Sequence, residues 1–248
     1  ARPEPAGTWR VRPGSAHEVI SRGPVKPLKV VPGDWPEYRG DSARRDVSRC
    51  QIGDSLTRAW ETKVTAAVLP TAPVIAGGMV FVADRTGAVH GFDRAGRKRW
   101  TSYTAGPVYY PPAIAHDRAY VGSADGRVYA FEAKTGRLLW SYRVGPARRR
   151  VPVFDHLIAT WPVAGGVVVR DGHVYAAAGI AHYDGTYVVK LDAMTGELKG
   201  GNVSSGVLGK ESNNGISMQG NLRIEDGEPR FLAGGVYETA RYDLKTLE

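Results

Sequence analysis

The chain has 248 residues, of which 42% are hydrophobic and 23% charged, with a formal net charge of +8. That balance supports a buried core and excludes a disordered chain. No run of about 18 apolar residues occurs, so no membrane-spanning helix is expected. The single cysteine, Cys50, excludes an intrachain disulfide and cysteine-based zinc sites, and reads as a small buried apolar residue.

Residues 1–34 are rich in proline and arginine and read as an irregular lead-in. The chain opens at Ala1 without methionine or an apolar leader, so it is expected to be a processed chain or a piece of a longer one. From residue 35 onward, apolar runs of three to six residues alternate with Gly, Asp and Pro, and helical periodicity does not persist beyond about two turns. The 31 glycines and 16 prolines suit short strands better than helices. A strand is expected near residues 57–63, around Trp60, closing a neighbouring unit. Two units follow, at 71–103 and 111–143, each with four strands. A third spans 165–203, and a partial fourth occupies 218–248.

The units repeat. Trp60, Trp100 and Trp140 are spaced 40 residues apart, and the turn glycines Gly96 and Gly136 recur, after an insertion of 20 residues, at Gly196. Four strands in a period of about 40 define propeller blades. The glycine supplies positive φ between the third and fourth strands. The tryptophan on the outermost strand packs over the neighbouring blade, burying on the order of 150 to 250 Å². The fold is therefore expected to be all-β, a propeller with about four blades present.

The stretch Phe131-Glu132-Ala133-Lys134-Thr135-Gly136-Arg137-Leu138-Leu139-Trp140 resembles the PQQ-like propeller repeat, Ala-x-Asp-x-x-Thr-Gly-Lys-x-x-Trp. Asp34-Trp35-Pro36-Glu37-Tyr38-Arg39-Gly40-Asp41 is similar to the lead-in before such propellers in bacterial secreted proteins. The resemblance covers 35–248 and implies BamB-type or quinoprotein-like blades, a ring of seven or eight of them, and a periplasmic or extracellular setting. The remaining blades would come from the same longer chain or from another chain. Quinone-dependent dehydrogenases of this kind use a vicinal disulfide and acidic and Asn metal ligands. With one cysteine and an incomplete ring, neither cofactor nor metal is expected.

In a blade, the loop between strands two and three opens on the same face as the connection between blades. That face gathers Arg148, Arg149, Arg150, His156 and Trp161 in the long insertion, His182, Tyr183 and Asp184 in the next loop, and Asn213 and Asn214 beyond. Arginine suits a carboxylate, aromatics suit stacking, and Asn suits hydroxyls. Arg149, Trp161, His182 and Tyr183 are expected to share one depression near the ring axis. No nucleophile elbow, phosphate loop, HExxH or CxxCH motif is present, and no basic groove with interleaved aromatics, so nucleic acid is not an expected partner. The leading reading is a binding or scaffold module for a glycan, peptide or protein, with an acidic saccharide or a protein as partner. The alternative is a lyase or hydrolase of acidic polysaccharides, with His182 and Tyr183 as proton-transfer candidates and Arg149 as charge clamp. Asn202-Val203-Ser204 fits a glycosylation triplet.

Overall fold

The structure, a computed structural model, describes residues 17–48, 50–64, 69–153, 156–180, 184–202, 217–218, 220–234 and 239–247. β1 is His17–Val19. The first blade is β2 (Val74–Ala76), β3 (Met79–Ala83), β4 (Ala88–Asp93) and β5 (Lys98–Tyr103), hydrogen-bonded in that order. The second is β6 (Ala113–Ala115), β7 (Arg118–Gly122), β8 (Arg127–Glu132) and β9 (Leu138–Arg143). A two-stranded ribbon follows, β10 (Arg150–Val153) with β11 (His156–Ala159). The third blade is β12 (Val167–Arg170), β13 (His173–Ala178), β14 (Tyr187–Asp192) and β15 (Leu198–Gly201). The fourth sheet comprises β16 (Ser217–Met218), β17 (Arg223–Glu225), β18 (Glu228–Gly234) and β19 (Thr239–Arg241), with β17, β18 and β19 in the places of the first three blade strands.

The repeat has a physical explanation at each blade boundary. Trp100 on β5 and Trp140 on β9 are buried, with 8% and 1% of their surface exposed, as the repeat predicts. Trp100 lies over Gly136 and Trp140 over Gly196, and their indole nitrogens donate to the carbonyls of Ala133 (2.9 Å) and Ala193 (3.3 Å). Gly136 has φ +73°, and a Cβ there would stand 2.5 Å from the Trp100 ring. The glycine is therefore required twice, by the turn and by the ring above it. Each third-to-fourth strand pair also shifts register at the same point, at Gly91/Phe92, Ala130/Phe131 and Lys190/Leu191.

Residues 57–63 form no strand, contrary to the sequence expectation. Trp60 nevertheless holds the same place as its repeats, over Gly96 with its indole nitrogen donating to Arg94 O at 2.9 Å. The ring contact was legible in the sequence because it depends on residue type. The ladder was not, because a strand needs a hydrogen-bonded neighbour, and among the described residues 57–63 have none. Cys50 is exposed, not buried: its thiol lies 3.3 Å from Gly33 O at the surface.

The lead-in is built against the blades. β1 adds a fifth strand to the outer edge of the second blade, pairing antiparallel with β9. Farther on, the segment from Trp35 to Arg44 touches the innermost strand of each of the four blades. Trp35 bridges Ile75 of β2, Pro36 O accepts from Ile114 N of β6 (2.8 Å), and Ser42 O accepts from Ile224 N of β17 (2.8 Å). The buried Arg44 guanidinium donates to Val167 O of β12 (3.0 Å), to Leu222 O (3.2 Å) and to the Glu37 carboxylate (3.0 Å). Inner blade edges would otherwise leave backbone groups unpaired, and this crossing segment satisfies part of them.

Candidate functional site

One end of the fan carries the second-to-third strand loops and the connections between blades, knitted by backbone hydrogen bonds. Thr104 N donates to Gly87 O (2.9 Å), Val144 N to Gly126 O (3.0 Å), and Val163 N to Ser123 O (3.0 Å). The sequence reading of a shared face holds for these loops. The insertion on that end is not an open loop. It folds into the β10–β11 ribbon, anchored by Ala159 N donating to Ala124 O (2.8 Å) and Thr160 N to Arg149 O (2.9 Å).

Arg149, at the foot of the ribbon, is held from three sides. Its Nε donates to Thr160 Oγ1 at 2.9 Å, its guanidinium sits 5.2 Å from the centre of the Trp161 ring, and it forms an ion pair with Asp184. Trp161 in turn donates to Asp184 O at 2.7 Å and meets Tyr187 edge-on. The structure thus brings Arg149, Trp161 and Asp184 together. Trp161 is buried, with Arg149 over its ring, so it acts as the floor under the arginine and not as an open stacking platform. The face presented to solvent is the guanidinium, whose side chain is 55% exposed.

Arg148, Arg149 and Arg150 also line a depression of about 520 Å³, shared with Glu18, Arg127 and Arg143. Its walls come from β1, β8 and β9, from the loops around Asp125 and Gly145 and from the foot of the ribbon, and none of its lining residues is on the first strand of a blade, so this depression lies away from the axis near which the sequence placed it. The axis-facing strands instead meet the segment from Trp35 to Arg44. Arg127 donates to Ser141 Oγ (2.6 Å) and to Glu18 Oε1 (2.7 Å), while Arg143 Nε is buried with no acceptor among the described residues. Burial, followed by repulsion from Arg127 and Arg148, lowers the Arg143 pKa from its usual value. Asp125 accepts from the Tyr129 hydroxyl and from Arg127 N (3.0 Å), which fixes the turn before β8.

His156 stands opposite Val153, three ladder positions beyond the Arg150–Ala159 rung. At about 3.3 Å per residue it is some 10 Å farther out and does not join the arginine cluster. His182, Tyr183, Asn213 and Asn214 lie outside the described residues. Asn202 is buried, its side chain accepting from Val188 N (2.6 Å) and donating to Thr186 O (3.1 Å), so the glycosylation triplet is occupied by a structural role. Sequence reasoning missed Glu18, Arg127 and Arg143. Arg127 could have been found by aligning the blades, because Ala88 and Tyr187 take its position in the first and third. Glu18 carried no sequence signal, because its importance comes from strand pairing across 123 residues to Ser141.

This repeating sheet and ring geometry defines a PQQ-like β-propeller. Residues 51–159 match the family model described as outer membrane protein assembly factor BamB. Among solved structures, BamB from Moraxella catarrhalis is 23% identical with a TM-score of 0.52, the match covering 71% of this chain and 49% of that one. Quinohemoprotein alcohol dehydrogenase from Comamonas testosteroni is 25% identical with a TM-score of 0.52, covering 70% of this chain and 27% of the enzyme. Quinohemoprotein alcohol dehydrogenase ADHIIG from Pseudomonas putida HK5 has 18% identity and a TM-score of 0.63, covering 88% and 39%. The chain thus spans half or less of each of these proteins. No curated protein matches it.

The described residues do not fit a quinone site of the dehydrogenase kind. Cys50 has no second cysteine with which to form a vicinal disulfide, and the Trp161 ring has Arg149 over it. No cluster of three His, Cys, Asp or Glu that could hold a metal is found among the described residues. None of their helices is long and apolar enough to cross a membrane.

Proposed function

We propose that this chain is a docking module of the bacterial cell envelope, periplasmic or extracellular, which holds a protein partner on its loop-rich end. The observation that carries this reading is the insertion between the second and third blades. A long loop with no other role would cost ordering entropy for nothing. Here it forms a ribbon anchored on the neighbouring turn, with Arg149 fixed at its foot between Trp161 and Asp184. A pre-positioned arginine over an aromatic floor suits the acidic side chains of a protein surface. The match of residues 51–159 to the family model described as an outer membrane protein assembly factor supports an assembly role.

The test is a photo-crosslinking amino acid placed at Leu157, which is 62% exposed on the ribbon, and at Met194, 51% exposed at the opposite end. In cells of the native host, a discrete protein adduct is expected at 157 and not at 194. Equal adducts at both ends, or none at 157, would overturn the assignment, as would turnover of a uronate polymer by the purified chain.

A further inference from the structure

The arginine depression already holds an acid that belongs to the chain itself. Glu18 reaches it from β1, a strand of three residues laid along β9 with Glu18 opposite Ser141. Its carboxylate accepts from Arg127 at 2.7 Å and lies 3.7 Å from Arg148. The hold is light. Val19 and Ile20 beside it are 44% and 52% exposed, so β1 buries little apolar surface. The arginines remain in excess, since Arg127, Arg143, Arg148, Arg149 and Arg150 line the depression against Glu18 and Asp125, and Asp125 is engaged by Tyr129. Arg143 Nε, buried at the same corner, has no acceptor among the described residues. Buried donors left unpaired are costly, and an additional oxyanion would relieve this one.

We infer that the corner formed by Arg127, Arg143 and Arg148 is a carboxylate subsite for an acidic side chain on an extended polypeptide, and that Glu18 is its built-in competitor. A polypeptide is favoured over a saccharide because the occupant in place is a glutamate delivered on a strand hydrogen-bonded to a blade edge. The inference rests on the reading of the loop-rich end as a protein-docking face, and it names the chemistry that face selects.

The test is the fluorescence anisotropy of labelled hexaglutamate titrated with the full chain, with Glu18→Gln, and with Glu18→Gln combined with Arg143→Ala. If Glu18 fills the corner about nine-tenths of the time, its removal tightens apparent affinity about tenfold. Loss of Arg143 should abolish that gain. Glu197→Gln makes the same charge change at the opposite end, on a side chain 58% exposed, and should leave affinity unchanged. Three results would overturn the inference: equal affinity of Glu18→Gln and parent, an equal gain from Glu197→Gln, or no peptide binding by any of them. A gain seen with oligogalacturonate and not with hexaglutamate would overturn the polypeptide assignment. A crosslink at Leu157 that survives any of these results leaves the docking function standing without this subsite.

Discussion

Leu247 stands where the repeat demands glycine, and Gly200 stands where it demands tryptophan; the two face each other across the boundary between the third and fourth blades. Leu247 has φ +62° and is fully buried, and its Cδ1 lies 3.8 Å from the position a Cβ on Gly200 would take. Its amide donates to Asp243 O at 2.8 Å, as Gly136 donates to Glu132 O and Gly196 to Asp192 O. The side chain has changed sides while the boundary stayed filled. Leu247→Gly should open a cavity costing about 2 to 5 kcal/mol, offset in part by about 1 to 2 kcal/mol of relieved left-handed strain. Gly200→Trp alone should overpack against Leu247. The double variant restores the arrangement of the earlier boundaries, so denaturant unfolding should give a favourable coupling of about 0.5 to 3 kcal/mol. Strict additivity would contradict the exchange.

Two glycines separate the cost of a turn from the cost of a ring. Gly136 and Gly172 share φ near +73°, but a Cβ at Gly172 meets nothing within 4 Å, while one at Gly136 meets Trp100. Gly172→Ala should cost only the strain, about 1 to 2 kcal/mol. Gly136→Ala should cost about 1 to 3 kcal/mol more through overpacking. Equal shifts in melting temperature would show that the ring does not press on the turn.

The Glu37 and Arg44 pair gives stability a pH dependence with a defined sign. Burial pushes the Glu37 carboxyl up to about 7, against the opposing pull of Arg44. A carboxyl raised in the folded state binds its proton more tightly there than in the unfolded chain. Its contribution to stability is therefore greatest below about pH 4.5 and is lost as the pH rises through 7. Glu37→Gln carries no such titration. The melting temperature of the variant relative to the parent should thus be more favourable at pH 8 than at pH 5, and a difference that is flat or reversed would contradict the shift.

The blade pattern was legible because it rests on residue types at fixed spacing: a glycine that must have positive φ and an indole that must cover it. Trp60, Trp100 and Trp140 could be read as one role from the sequence alone. The swap at Gly200 and Leu247 breaks that pattern in both partners at once, so a scan for either residue passes over it. The site was partly legible. Arg149 and Asp184 were singled out as residues of one face, but the burial of Trp161 depends on tertiary packing under Arg149. The position of the arginine depression depends on which strand lies outermost. Nothing in residues 17–34 announces β1, whose hydrophobic pattern is too short to register.

Arg149 should matter more to binding than to folding. Its pair with Asp184 is half in solvent, where such pairs contribute about 0 to 1 kcal/mol. Arg149→Ala should therefore leave the melting temperature nearly unchanged while weakening hexaglutamate binding by about 1.5 to 3 kcal/mol, the range for a hydrogen bond to a charged group. Calorimetry giving parent affinity for the variant would remove Arg149 from the docking face.

The most direct measurement concerns the ribbon itself. Residues 150–157 can be replaced by a Gly-Ser linker that leaves the buried Ile158 and the anchoring Ala159 in place, because among the described residues β10 and β11 pair only with each other in the sheet order. Titration calorimetry of hexaglutamate into this variant, with circular dichroism confirming an intact fold, should show affinity reduced at least about tenfold, a change of about 1.4 kcal/mol. An intact fold that binds as the parent does would contradict the claim that the loop-rich end docks the partner through its ribbon.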